Sequence, residues 1–375
     1  MHAINVYGNP PDTSGGFLYG LVLVLAPHQQ CMLIARQQGD VMVQRVVIAV
    51  DVLGGDIGPS VVLPGIEKAL QADSELEVIA CGPAEVVEPF AEKHDRVRAQ
   101  VTTEEIAMDE HPANAVRKKK DSSLVVGNRL VKEGQAQGFF SAGSTGACLA
   151  AATLVVGRIK GVSRPALCTV IPSPVKPVVM CDVGANADCK PAYLVQFAQM
   201  ATTYARQVIG IPEPKVALLN IGSEDTKGSK MAQETFELLK SEVPEFAGNG
   251  EGSDILAGKF DVFVTDGFTG NVCLKTIEGV TKILFGEIKK VMMANLATKL
   301  GAAAMKGGLS NLKESTSADT YGGAPILGVK GACLVGHGSS NETAIMNGVL
   351  TAARAVRLDV SGIIERTVNQ TKQAE

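Results

Sequence analysis

Three stretches decide the fold: Pro177-Val-Val-Met-Cys181 running into Asp182-Val-Gly-Ala-Asn-Ala-Asp-Cys-Lys-Pro191, Val216-Ala-Leu-Leu219 running into Asn220-Ile-Gly-Ser-Glu-Asp-Thr-Lys-Gly228, and Phe260-Asp-Val-Phe-Val-Thr265 running into Asp266-Gly-Phe-Thr-Gly-Asn-Val272. A short apolar run bounded by turn residues reads as a strand covered on both faces. A helical pattern follows each loop, and ligands of open α/β sheets sit where strand ends meet helix starts. Three such loops, each carrying Asp, Asn, Lys or Gly, predict a pocket for a small anion.

The same alternation runs along the chain from Arg45. Strands are predicted at 46–50, 77–80, 97–101, 138–141, 166–171 and 332–336. Helices are predicted at 58–70, 84–93, 113–120, 122–134, 144–156, 192–208, 229–240 and 342–356. Alternating strands and helices imply a largely parallel sheet with helices on both faces. Residues 270–300 read as one long helix, and the Met- and Lys-dotted stretch after it makes a protruding helical hairpin at about 285–320. Residues 1–41 carry only Asp12, Arg36 and Asp40 as formal charges, with Pro10-Pro11 and no clear period. The expected division is an atypical extension over 1–41, loosely ordered or lying before the true start at Met42, and one body over 42–375.

Composition excludes several classes. A net charge of −4 argues against binding nucleic acid through bulk positive charge. Aromatics at 4% with no Trp argue against base-stacking platforms. The eight cysteines, at 31, 81, 148, 168, 181, 189, 273 and 333, show no C-x-x-C spacing and read as buried thiols. Cys189 beside Lys190 is a minor candidate nucleophile, since a nearby cation lowers a thiol pKa. The apolar run 17–26 is about half the length needed to span a bilayer, so a cytoplasmic protein is expected.

Several residues carry candidate chemistry. Asp51-Val-Leu-Gly-Gly-Asp56 lets backbone approach a ligand beside Asp56, although a G-G-D turn is usually only a turn. Ser141-Ala-Gly-Ser-Thr-Gly-Ala147 opens a helix, and free N–H groups at Ser144, Thr145 and Gly146 suit an anion; Ser144 as a simple cap is the equal alternative. Lys190 and Lys227 are the cations of the Gly-rich loops. Asn271 follows Gly270 at a helix start, where its amide suits either a cap or an oxyanion donor. His337 stands at a strand end among Gly and Ser, and no H-x-x-x-H spacing suggests zinc. Arg117-Lys118-Lys119-Lys120 is the dense basic run, a solvated face or a dock for an acidic partner.

Taken together the motifs resemble the phosphate:acyl-carrier-protein acyltransferases of bacterial phospholipid synthesis. The resemblance rests on D-V-L-G-G-D-I-G-P (51–59), V-R-K-K-K-D-S-S (116–123), S-A-G-S-T-G-A (141–147), G-R-I-K-G-V-S-R-P-A (157–166), D-V-G-A-N-A-D-C-K-P (182–191), L-L-N-I-G-S-E-D-T-K-G (218–228), D-G-F-T-G-N-V (266–272), Y-G-G-A-P-I-L-G (321–328) and G-H-G-S-S-N (336–341), in order. Leu53 and Ser144 replace the usual Met and Asn, and residues 1–41 have no counterpart.

The resemblance implies a Rossmann-like α/β/α sandwich with a largely parallel sheet, similar to isocitrate dehydrogenases and phosphotransacetylases, in a homodimer. It implies a cofactor-free transfer of a fatty acyl group from acyl carrier protein to inorganic phosphate, the acyl phosphate passing to a membrane glycerol-3-phosphate acyltransferase. Phosphate is already a nucleophile at neutral pH, so direct attack on the thioester is expected. Phosphate falls to Ser144, Thr145, Gly146 and Lys227, and oxyanion support to Asn271. Asp182, Asn186, Asp188, Lys190 and Asp266 shape the pocket, with Asp56 and His337 across from them. Arg117 to Lys120 dock the carrier. Leu296, Leu300, Met305, Leu309 and Leu312 form an apolar tip that touches the inner face of the membrane, making the protein peripherally associated.

Overall fold

A computed structural model describes residues 44–173, 175–315 and 317–373, so the expectation for 1–41 lies outside the described residues. In chain order the elements of the first half are β1 (Val46–Asp51), α1 (Pro59–Ala72), β2 (Leu76–Gly82), α2 (Ala84–Ala91), β3 (Val97–Val101), α3 (Pro112–Lys118), α4 (Ser123–Lys132), β4 (Gly138–Ser141) and α5 (Thr145–Ala151). The second half holds β5 (Ala166–Ile171), β6 (Val178–Cys181), α6 (Pro191–Tyr204), β7 (Val216–Leu219), α7 (Lys230–Glu242), β8 (Phe246–Gly250) and β9 (Val262–Val264). There follow α8 (Gly267–Met292), α9 (Leu296–Ala304), α10 (Lys306–Ser315), β10 (Ala324–Leu327), β11 (Ala332–Val335), α11 (Glu342–Arg357) and α12 (Val360–Gln373).

The strands form one sheet of eleven, ordered β3-β2-β1-β4-β11-β10-β5-β6-β9-β7-β8. Both flanks are parallel, as alternating strands and helices require. The centre is not: β10 is antiparallel to β11 and to β5, and β5 to β6. The strands from β6 to β8 therefore run opposite to β1, β4 and β11. Four strand-to-strand steps separate β4 from β6, and at about 20–25° each they accumulate roughly 80–100° of twist. That rotation lets the carboxyl ends of the two flanks face a common space.

Strand alternation splits the core. Ile48 and Val50 point to the face covered by α1 and α11, where Val62, Ile66, Ile345 and Val349 meet them. Ala49 points to the opposite face with Leu124, Val125 and Phe139. On the second flank α6 lies almost wholly buried, with Phe197, Met200 and Tyr204 packed against Val179, Val216 and Val262. Helices α5 and α6 each end in one π turn, at Ala152–Val156 and Ala205–Ile209, closed by Gly157 and Gly210 at positive φ.

Two strands were absent from the sequence expectation, β8 and β10. The long helix expected over 270–300 is divided at 293–295. Asn295 caps a new helix by accepting from Thr298 N at 3.0 Å, while its own N–H donates to Thr298 Oγ1 at 3.1 Å. The result is the protruding arm α8–α9–α10.

Candidate active site

The turns after β1, β4 and β11 are bonded to each other. Asp51, buried at the end of β1, accepts from Leu53 N at 3.1 Å and from the Ser141 hydroxyl at 2.7 Å. Ser141 Oγ accepts in turn from Gly143 N at 3.0 Å. Burial pushes the Asp51 carboxyl above the usual range, with the Ser123 and Ser141 hydroxyls opposing that shift. A Cβ on Gly54 would stand 2.9 Å from the amide nitrogens of Ala142 and Gly143, so glycine is required for the two turns to stack. Asp56 N donates to Gly338 O at 2.8 Å, and Gly336 N to Ser141 O at 2.8 Å, which joins the third turn.

On the other flank Asp182 is fully buried and organises the loop after β6. Its carboxylate accepts from the N–H groups of Leu167 (3.1 Å), Gly184 (3.2 Å), Ala185 (3.0 Å) and Asn186 (2.8 Å), and from Asn186 Nδ2 (2.8 Å). Burial raises its pKa, and these hydrogen bonds act the other way. Asn186 N–H donors are thus consumed internally, and its Nδ2 also reaches Pro165 O at 2.8 Å. The first turn of α8 sits directly on this loop: a Cβ at Gly270 would fall 1.9 Å from Asp182 O. Asp266 caps α8, accepting from Thr269 N and Thr269 Oγ1, both at 2.8 Å.

Between the flanks lies a cleft of about 490 Å³. Its polar lining includes Asp56, Gly143, Thr145, Gly146, His337 and Ser340 from the first flank and Gly184, Asn271, Lys275 and Glu278 from the second, with Thr169 of β5. Asp319, held by Asn341 Nδ2 at 2.7 Å, closes one side with Tyr321. His337 Nδ1 accepts from Ser339 N at 3.2 Å, which puts the proton of the neutral ring on Nε2. Among the sequence candidates, the structure thus brings together Asp56, Thr145, Gly146, Asn271 and His337.

The others stand apart. Ser144 is buried between two lining residues and makes no side-chain cap. Asp182, Asn186 and Asp266 build the loops rather than line the cleft. Asp188 and Lys190 are exposed, Lys190 at the start of α6. Lys227 lies on the loop after β7, half-exposed, with Nζ 3.7 Å from Glu224 Oε1. That loop borders a separate concavity of about 270 Å³ lined by Asn220, Ile221, Gly228, Ser229, Asp266 and Thr269. The first turn of α8 presents Asp266 and Thr269 to this second concavity and Asn271 to the cleft, so the three Gly-rich loops serve two recesses, not one.

Cys189 is not an activated thiol. Burial, with Asp182, Asp266 and Asp188 nearby, pushes it up to about 12, and its Sγ–H faces Asn186 O at 3.5 Å.

The basic run divides as well. Arg117, Lys118 and Lys120 are exposed. Lys119 is committed: Nζ lies 2.6 Å from Glu110 Oε1 and 2.7 Å from Glu105 O, and Ala107 N donates to the same Glu110 oxygen at 2.7 Å. The Lys119 hydrogen bond holds the Glu110 carboxyl below its ordinary range. These bonds fix the stretch that delivers Met108, 51% exposed, to the cleft rim. Met108 was not foreseen, because nothing local in the sequence distinguishes it from an ordinary loop methionine. At the other end of α3, Pro112 rests on Gly146, where a Cβ would be 2.6 Å from Pro112 Cγ. The seven-residue α3 therefore separates the exposed cations from the start of α5 by roughly 10 Å.

On the arm, Leu296 and Leu300 are 75% and 65% exposed, Met305 and Leu312 are exposed, and Leu309 is half-buried. Among the described residues no helix is long and apolar enough to cross a membrane.

Comparison with known proteins adds identity to this geometry. Residues 46–362 match the family model described as fatty acid synthesis protein. A phosphate acyltransferase of Desulfitobacterium hafniense (strain Y51) is 48% identical over 322 residues, covering 85% of this chain and 95% of that protein. A phosphate acyltransferase of Bacillus pumilus (strain SAFR-032) is 41% identical over 324 residues, covering 86% and 98%. Among solved structures, a phosphotransacetylase from Streptococcus pyogenes superposes with a TM-score of 0.54 at 18% identity, covering 88% of this chain and 98% of that one. That likeness bears on the fold: the mixed α/β architecture with its large, mostly parallel sheet is shared.

Proposed function

The chain belongs to the phosphate acyltransferase family of fatty acid synthesis proteins, and on that premise we propose that it transfers a fatty acyl group from acyl carrier protein to inorganic phosphate. It is an acyltransferase of lipid synthesis; the carrier-bound donor, the direct attack and the residue roles are our reading. The observation that carries it is the convergence of the α5 start with Asn271 in one cleft.

Phosphate sits at the N–H groups of Thr145 and Gly146, where the helix start favours negative charge. Asn271 donates its amide to the oxyanion that forms when phosphate oxygen attacks the thioester carbonyl carbon. The tetrahedral intermediate then collapses, the C–S bond breaks, and the carrier leaves as thiolate, which takes a proton from water. The cleft's task is positioning, since the nucleophile is already anionic. Asp56 and His337 border the anion, and Nε2–H of His337 is available as a donor. Lys227, on the loop that borders the neighbouring recess, contributes by raising the local phosphate concentration rather than by touching the reacting atoms. No acyl-enzyme is invoked, because Cys189 is a protonated thiol at neutral pH.

Arg117, Lys118 and Lys120 offer the exposed cations for an acidic carrier protein, and Leu296, Leu300, Met305 and Leu312 an apolar tip for the membrane surface. A homodimer and delivery of acyl phosphate to a membrane glycerol-3-phosphate acyltransferase complete the proposal. The test is phosphate-dependent release of free carrier from an acyl-carrier thioester; hydrolysis at the same rate without phosphate is the result that rejects it.

A further inference from the structure

Two helices enter the cleft with a polar first turn and a leucine one turn on. On α5 the pair is Thr145 and Leu149, four residues apart; on α8 it is Asn271 and Leu274, three apart, and all four line the same cleft. Side chains at these spacings share a helix face, so Leu149 stands about 6 Å and Leu274 about 4.5 Å beyond its polar partner along the helix. Beneath them lies Leu167 of β5, buried, with Val183 from the loop after β6, and Thr169 follows Leu167 on the same face of the strand. Leu149, Leu274, Leu167 and Val183 belong to, or pack against, one apolar cluster that continues through Ile277.

Leu149 and Leu274 are only half-buried, although they sit in a recess and touch the core. A concave apolar wall of this kind, beside a few convergent polar groups, is how ligand sites accommodate an apolar moiety. The polar groups are those that hold the reacting carbonyl in the function proposed above. The methylenes next to that carbonyl must then lie along one wall, and this is the apolar one. The polar lining of the first flank, with Asp56, His337 and Asp319, is then left for the departing carrier arm.

The geometry points to an acyl-chain subsite formed by Leu149 and Leu274 over Leu167 and Val183, with the two half-buried leucines setting discrimination between chain lengths. This rests on the assignment of the cleft to acyl transfer. Each methylene buried there should raise kcat/KM roughly fourfold until the wall ends.

The test uses the full-length protein and carrier thioesters of butyryl, octanoyl and hexadecanoyl chains, with phosphate-dependent release of carrier thiol as readout. The unaltered protein prefers octanoyl over butyryl. Leu149→Trp and Leu274→Trp each lower the octanoyl-to-butyryl ratio of kcat/KM by about tenfold or more, since bulk on the wall displaces the longer chain. Leu154→Trp, on a residue 50% exposed and outside the cleft lining, leaves the ratio in place. If a Trp variant fails to fold, as thermal denaturation reports, Leu149→Ala and Leu274→Ala replace it and also lower the ratio, by loss of contact. An equal fall for all chains in both variants overturns the subsite while leaving acyl transfer standing. Absence of phosphate-dependent release from every thioester by the unaltered protein removes the acyl-transfer assignment, and the subsite with it.

Discussion

The Ser141 hydroxyl donates to Asp51 Oδ2 at 2.7 Å across 90 residues of sequence, and both groups are buried. This bond locks the turn after β1 to the turn that opens the anion-binding helix. Ser141→Ala leaves Asp51 one donor short and Gly143 N without its acceptor, so a loss of about 1–3 kcal/mol is expected in urea denaturation. Asp51→Asn keeps an acceptor for Leu53 N and removes a buried charge, so at neutral pH it is expected to change stability by less than Ser141→Ala does.

The same carboxyl gives a pH signature. Its folded pKa is raised above the ordinary value, so the folded state holds the proton more tightly than the unfolded chain. The stability of the unaltered protein relative to Asp51→Asn should therefore rise as pH falls from neutral through the raised pKa, levelling off below about 3.9. A difference that is constant with pH, or a loss of stability of the unaltered protein relative to Asp51→Asn on acidification, contradicts the buried-carboxylate description.

Asn271 and Lys227 should separate kinetically. Asn271 lines the cleft and is assigned the oxyanion, so Asn271→Ala should lower kcat by about a hundredfold, the typical loss for one such donor. Lys227 stands beside Glu224 on the loop that borders the adjoining recess. Lys227→Ala should raise KM for phosphate several-fold, roughly up to tenfold, with kcat little altered. A hundredfold fall in kcat for Lys227→Ala would place its ammonium on the transferring group instead.

Carrier docking should depend on the free members of the basic run. Lys118→Glu combined with Lys120→Glu should raise KM for the acyl carrier by about tenfold and flatten its dependence on salt. Lys119→Ala breaks the bonds to Glu110 and Glu105 that hold the Met108 stretch, and should lower kcat/KM without flattening the salt dependence. Identical salt profiles in all variants return the run to a solvated face.

The arm should carry membrane contact. Leu296→Glu with Leu300→Glu removes two exposed leucines, each contributing about 1.5–3 kcal/mol when fully buried, so co-sedimentation with anionic phospholipid vesicles should fall at least tenfold. Unchanged sedimentation would move the contact elsewhere on the molecule.

Much of the fold was legible because strands covered on both faces are short apolar runs, as at 166–171 and 216–219; 138–141 and the part-exposed edge strand 97–101 also coincide with strands in the structure. Strand β10 was not, since four residues containing Pro325 and following Gly322-Gly323 read as a loop. Strand β8, Phe-Ala-Gly-Asn-Gly, has two glycines and partial exposure, so it shows no strand pattern. The omission of β10 hid the antiparallel centre of the sheet. At the site, Thr145, Gly146, Asn271, Asp56 and His337 were findable because each follows a strand end. That the loop of Lys227 borders a different recess was not, because only the packing of Gly270 on Asp182 shows which way the first turn of α8 faces. The Asp51–Ser141 bond gave no local signal, its two ends lying in separate motifs.

The most direct test of acyl transfer to phosphate is to mix the purified protein with palmitoyl-acyl carrier protein and follow free carrier and acyl phosphate, with and without inorganic phosphate. Equimolar appearance of both products, strictly dependent on phosphate and about a hundredfold slower in Asn271→Ala, is the expected result. Carrier release that is indifferent to phosphate, or no release by the folded protein, contradicts it.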